Sequence, residues 1–201
     1  MPTIKLYEYG PSRAVRARWT LQEADMPFEA VSAREIMQTD ECKRIHPLGL
    51  LPAVEVDGKP LFESAAICTW IADQAPEKEL IAAPGSWESA LHDQWSYFAM
   101  TEVEAYLWSS AQQTLKYEGE AQVMAIVPQN NARARTSIGV IDDALDGDDY
   151  LVDNRFSVTD IIVAFTLHWA RSTGLTDQAP NVDRYLDGLY ERHHCPLGAP
   201  D

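Results

Sequence analysis

The stretch "LLPAVEVDGKPLFES", residues 50–64, ends on a carboxylate beside a hydroxyl, Glu63 and Ser64. A serine at the head of a helix offers its hydroxyl together with first-turn N–H groups that have no partner within the helix, an arrangement suited to anions. A glutamate next to it can accept hydrogen bonds from an ammonium group. The plainer reading is that Ser64 caps a helix and Glu63 ends a strand, since serine caps are common. Upstream, Arg13 and Arg16 lie one helical turn apart. They read equally well as a solvated helix face or as a local positive field. Cys42, Cys68 and Cys195 form no C-x-x-C pair and no metal-ligand spacing, so no metal is expected. Their sparse, odd count fits a reducing compartment. His193-His194-Cys195 reads as surface, because adjacent residues on an irregular tail rarely converge on one ion.

The charge balance narrows the partners. The chain has 201 residues and a net charge of -15, from 31 acidic and 16 basic residues. Such a surface repels nucleic-acid phosphates and anionic lipid. It still admits a small anion where arginines reverse the field in one cleft. No apolar run reaches bilayer length, and "MPTIKLYEYG" has no charged-then-apolar leader pattern. The expectation is a cytoplasmic protein with no nucleic-acid or membrane partner.

The elements that would position these residues follow from local pattern. "TIKLYE" alternates as a strand, with Ile4 and Leu6 on one face and Lys5 and Tyr7 on the other. A helix runs from Arg13 to about Asp25, with Val15, Trp19 and Leu21 inward and arginines outside. "FEAVSA" predicts a second strand, and residues 35–45 a weak helix. Asp57-Gly58 between "PAVEV" and "PLFES" predicts a hairpin. A helix capped by Ser64 follows, with Ala65, Ile67, Cys68 and Ile71 as its apolar stripe. A β-α-β unit followed by a β-β-α unit gives a four-stranded mixed sheet with helices on its faces. "APEKELIAAPGS" reads as a linker, and only helices follow. Residues 87–115 predict one long helix with Leu91, Trp95, Phe98, Val103 and Leu107 inward. Residues 119–145 predict another, interrupted at Pro128. Ser157 and Asp160 have capping-box spacing, and Phe156 and Ile161 hold staple positions, at the head of a strongly apolar helix. Gly174 ends that helix, and a last one covers about 182–192. The domains are expected at 1–76 and 87–201, with 77–86 between them.

This order, together with four motifs, resembles the cytosolic glutathione transferases over nearly the whole chain. "HPLGLLPAVEVDG" is similar to that family's hairpin entry, with His46 where asparagine is usual. "FESAAICTWIAD", "SRAVRARWTLQEADMPFE" and "FSVTDI" resemble its Glu-Ser motif, its first helix and its helical-domain cap. The resemblance implies an α/β thioredoxin-like N-terminal domain plus an all-α C-terminal domain, usually dimeric. It implies a detoxifying transferase that uses glutathione as co-substrate. It also implies that Pro52 is cis and that the Leu51 backbone pairs with the cysteinyl part of glutathione. Glu63 and Ser64 would hold the γ-glutamyl end, as ammonium and carboxylate.

The thiol of glutathione ionises near a pKa of about 8.5, and only the thiolate is nucleophilic. A hydroxyl aimed at sulfur from a helix head would favour the thiolate. The family places that hydroxyl at the end of the first strand or the start of the first helix. This chain offers Tyr7, Tyr9 and Ser12 there. "SRAVRARW" resembles the serine-type members, so Ser12 is the leading candidate, with Tyr7 and then Tyr9 behind it. Arg13 would add positive field. Leu50 stands where the family often has Lys or Gln for the glycyl end, and His46 or Lys43 would have to compensate. The second substrate, a largely apolar electrophile, would sit between the domains against Tyr106, Trp108 and Tyr117. Two alternatives remain open. One is a glutathione-dependent isomerase, disfavoured because "GPSRAVR" lacks that subgroup's Ser-Ser-Cys run. The other is a non-catalytic binding or regulatory relative.

Overall fold

The computed structural model describes residues 2–198. Residues 1 and 199–201, the outer ends of the two expected domains, lie outside the described residues. The chain divides into two compact units. One runs to Ala82 and takes in His193–Leu197; the other covers Ala83–Arg192.

In the first unit, β1 (Ile4–Glu8), β2 (Glu29–Ser32), β3 (Ala53–Val56) and β4 (Lys59–Phe62) form one sheet in the order β2-β1-β3-β4. The β1–β2 pair is parallel, and β3 is antiparallel to both β1 and β4. Ile4 and Leu6 are buried on one face, as the alternation predicts. Helices α1 (Ala14–Glu23) and α3 (Ser64–Gln74) pack on each other and on the sheet, while α2 (Asp40–Ile45) packs on β3 and β4.

Local chemistry explains the joints. Asp57 and Gly58 have φ of 49° and 79°, a two-residue turn with both centres left-handed. That turn sets Val56 opposite Lys59 and Ala53 opposite Phe62. Gly49 has φ of +62°, and a Cβ there would lie 2.9 Å from the Gln38 Cα. Gln38 holds this turn through Nε2, which donates to the Gly49 carbonyl at 2.9 Å.

Two expectations about α1 and α3 change. The arginines of α1 are not all outside: Arg16 is fully buried. Arg18 pairs with Glu8, its Nε donating to Oε2 at 2.9 Å. The cap position of α3 belongs to Glu63, so Ser64 is the first helical residue and its side chain is buried.

The second unit holds α4 (Trp87–Phe98), α5 (Ala105–Leu115), α6 (Ile126–Ala144), α7 (Val158–Ser172) and α8 (Pro180–Tyr190). Residues 87–115 are not one regular helix, because Ala99–Glu104 is π-helical. The buried positions are His92, Ser96, Ala99, Val103, Glu104 and Leu107. Leu91, Trp95 and Phe98 are only half-buried. Two polar members of this seam meet α7: His92 Nδ1 lies 2.8 Å from Thr159 Oγ1, and Thr166 donates to Glu104 Oε2 at 2.7 Å. Pro128 does not interrupt α6; it sits in the first turn, where a missing N–H is harmless. The capping box of α7 is present. Asp160 Oδ2 accepts from Ser157 N at 2.8 Å, and Asp160 Oδ1 from Leu151 N at 3.2 Å and Tyr185 Oη at 3.0 Å. Burial pushes the Asp160 carboxyl up to about 6, with these donors pulling the other way. Among the described residues no helix is long and apolar enough to cross a membrane.

The two hairpin-region glycines should respond differently to a methyl group. Gly58→Ala meets open space and only the cost of a left-handed alanine, about 1 kcal/mol. Gly49→Ala adds the clash with Gln38 and should lose about 2–4 kcal/mol in urea unfolding. Equal losses would contradict the close approach.

Candidate functional site

The strand pairing gathers three chain segments at one end of the sheet. Tyr7 at the close of β1 is opposite Ala53, and Ala53 is opposite Phe62. The residues after β1, before β3 and after β4 therefore share an edge. They include Tyr9 and Ser12, Leu51 and Pro52, and Glu63 and Ser64.

Leu51–Pro52 is a cis peptide, with Pro52 buried and Leu51 half-buried. Glu63 has φ of 73° and ψ of 112°, a sparsely populated conformation for a residue with a side chain. Its side chain makes no cap bond to α3 and is exposed. The Ser64 hydroxyl is buried instead, accepting from Arg16 Nη1 at 3.2 Å. Sequence reasoning did not find the Arg16–Ser64 contact. The available signal was an arginine set three and four residues before the inward Trp19 and Thr20.

The three candidate hydroxyls have different surroundings. Tyr7 donates its hydroxyl hydrogen to the Glu55 carboxylate. Burial, then that bond, then the Glu55 charge push the Tyr7 phenol up to about 12. Tyr7 alternates with the buried Leu6 along β1 and so lies on the opposite face of the sheet. Tyr9 is exposed, with the Arg34 guanidinium 5.1 Å from its ring centre. Ser12 is half-buried just before α1, its Oγ accepting from Ala14 N at 3.3 Å. That bond uses a lone pair and leaves the hydroxyl hydrogen for another acceptor. Arg13 is half-buried at the cap position of α1.

The neighbouring loop is organised by His46. Its Nδ1 accepts from Leu48 N at 3.2 Å, as a side-chain amide oxygen of asparagine would. Its ring lies 5.0 Å from that of Phe62. Lys43 is exposed beside Asp40. Leu50 is partly exposed, and its carbonyl faces the Cys42 thiol at 4.0 Å.

In the helical unit, Tyr106 and Trp108 are two residues apart on α5 and face different neighbours. The Arg133 guanidinium lies 5.8 Å from the Tyr106 ring centre, whereas Trp108 makes an edge contact with Trp169 at 6.4 Å. Tyr117, beyond α5, donates to Gln112 Oε1 at 3.0 Å.

A mixed βαβ–ββα sheet followed by an all-helical unit defines the two-part architecture of the glutathione transferases, with a thioredoxin-like first domain. The family profile "Glutathione S-transferase, N-terminal domain" matches residues 2–73, and "Glutathione S-transferase, C-terminal domain" matches 124–188. The chain belongs to the glutathione S-transferase family. It is 28% identical over 204 residues to glutathione S-transferase hmp2 of Hypomyces subiculosus, with 94% of each chain covered. It is 28% identical over 154 residues to elongation factor 1-gamma 2 of Oryza sativa subsp. japonica, covering 74% of this chain and 36% of that protein. The chain thus spans about a third of that relative's length. In structure it is similar to a glutathione S-transferase of Methylobacillus flagellatus with GSH bound, at a TM-score of 0.85 and 21% identity. That comparison covers 99% of this chain and 100% of the other.

Tyr7 should prove structural. Tyr7→Phe is expected to lose about 1 kcal/mol of stability, the worth of one hydrogen bond. Glutathione-dependent turnover and its pH profile should be unchanged. A shifted profile would return Tyr7 to the chemistry.

Proposed function

We propose that this protein is a glutathione transferase that adds the glutathione thiolate to an electrophilic, largely apolar small molecule. The observation that supports this reading is the pairing of Tyr7 with Ala53 and of Ala53 with Phe62, which brings the residues after β1, before β3 and after β4 to one end of the sheet. The Leu51 backbone would pair with the cysteinyl unit as an added strand does. Glu63 would take the γ-glutamyl ammonium, and Ser64 with the head of α3 its carboxylate. Ser12 would donate to sulfur, helped by the positive end of α1 and by Arg13. Its hydroxyl hydrogen is uncommitted, while that of Tyr7 is spent on Glu55 and Tyr9 is exposed. His46 would shape the loop leading to Leu51. Trp108, exposed beside Trp169, is the best placed of the three aromatic candidates to meet the second substrate. Tyr106 and Tyr117 would support from their bonds to Arg133 and Gln112. We place the protein in the cytoplasm as a homodimer, like the family at large.

A second reading, a transferase-like module without turnover, draws on Leu50. A partly exposed leucine there gives the glycyl carboxylate no cationic partner. The likeness to elongation factor 1-gamma 2, whose name is not that of a transferase, supports such a role.

Ser12→Ala separates the readings. Turnover of a generic aryl electrophile should fall about 100-fold, the usual loss of one hydrogen-bond donor to a developing anion. Affinity for glutathione should stay within about threefold, because the donor acts on the thiolate. An unchanged rate would remove Ser12 from the mechanism. No measurable turnover in the unaltered protein, with glutathione bound, would favour the second reading.

A further inference from the structure

Arg16 is fully buried on the side of α1 that packs against α3. A buried guanidinium is costly unless its hydrogens are accepted. One partner is the Ser64 hydroxyl oxygen, 3.2 Å from Nη1. The Arg16 charge also reaches Cys68, which lies one turn along α3 from Ser64. Burial pushes that thiol up to about 11, with Thr20 and Arg16 pulling the other way. The guanidinium therefore lies along the α3 face that carries Ser64 and Cys68.

The chemistry of this pair is one-directional. A guanidinium has donors and no acceptor. Ser64 cannot donate to Arg16, so the bond uses one oxygen lone pair and the hydroxyl hydrogen must point elsewhere. A neighbouring cation also polarises the hydroxyl and strengthens it as a donor. The first-turn N–H groups of this helix head are donors too, and the Glu63 carboxylate at the cap is given to the ammonium in the reading above.

We propose that Arg16 is a positioning residue that locks Ser64 as a donor, and so sets the preference of this site for a carboxylate over the corresponding amide. A carboxylate has only acceptors to offer. An amide would bring its NH₂ hydrogens against the Ser64 and first-turn donors, because the acceptor nearby, Glu63, is engaged by the ammonium. The proposal rests on the reading of Glu63 and Ser64 as the seat of the γ-glutamyl end of glutathione. It adds a buried residue that never touches the ligand and decides which ligand fits.

Calorimetric binding of glutathione and of its analogue with the γ-glutamyl α-carboxylate replaced by a carboxamide tests this. The unaltered protein should prefer glutathione about 100-fold, from two lost charge-assisted bonds. Arg16→Met should reduce that preference about tenfold, the worth of one such bond. With Ser64→Ala in the background, Arg16→Met should change the preference less than about twofold, because the relay is already cut. Arg16→Lys, the milder change, should reduce it about threefold, and it decides the matter if Arg16→Met does not fold. A purely structural role lowers stability and weakens both ligands alike, leaving their ratio unchanged. If the unaltered protein binds glutathione and the folded Arg16 variants keep its full preference, the positioning role is overturned alone. If the unaltered protein binds neither ligand, the reading of the site falls and this proposal with it.

Discussion

The register of the β3–β4 hairpin is the constraint on which the rest of the first unit depends. Two left-handed residues, Asp57 and Gly58, close the turn and leave no slack in the pairing. Ala53 must then face Phe62, and the chain on either side of the hairpin arrives at the same edge. A slip of one residue would turn Val54 out of the core and separate Pro52 from Glu63. Pairing of β3 with β1 brings the head of α1 to that edge as well. One turn of two residues thus gathers a backbone edge, a carboxylate at positive φ, and the heads of two helices.

Polar groups that cannot reach water are satisfied across elements in both units. Arg16 meets Ser64 between α1 and α3. Glu104 and His92 meet Thr166 and Thr159 of α7, while Asp160 gathers donors from Leu151, Ser157 and Tyr185. Such pairs are worth most because breaking one strands the other partner in the interior. Among the described residues Ser96 Oγ is buried with no partner. It lies one turn from His92 on the same buried face, just before the π segment.

What could be read from the sequence is what local chemistry determines. The Asp-Gly turn, the strand alternation around Leu6 and the Ser157–Asp160 cap each depend on a few neighbouring residues. The candidate edge was legible because its motifs are contiguous: Leu51-Pro52, Glu63-Ser64, and Ser12 before a helix. Long-range partners were not. Arg16 and Ser64 are 48 residues apart, as are Tyr7 and Glu55, and no periodicity announces either bond. The same limit misplaced Ser64 as a cap: its hydroxyl turns inward because a buried arginine is waiting for it. The buried positions His92, Ser96, Ala99, Val103 and Leu107 keep regular helical spacing, but two of them are polar, and the larger apolar side chains of Leu91 and Trp95 beside them disguise the stripe. Pro128 read as an interruption because its position within a helix cannot be known before the helix start is.

The central claim is that this edge binds glutathione and stabilises its thiolate. The ultraviolet difference spectrum of glutathione added to the protein, scanned across pH, measures both at once. The account predicts a saturable thiolate band whose midpoint lies about one pH unit or more below the free thiol's value of about 8.5. Saturable binding with the midpoint unmoved, or no binding at millimolar glutathione, would contradict it.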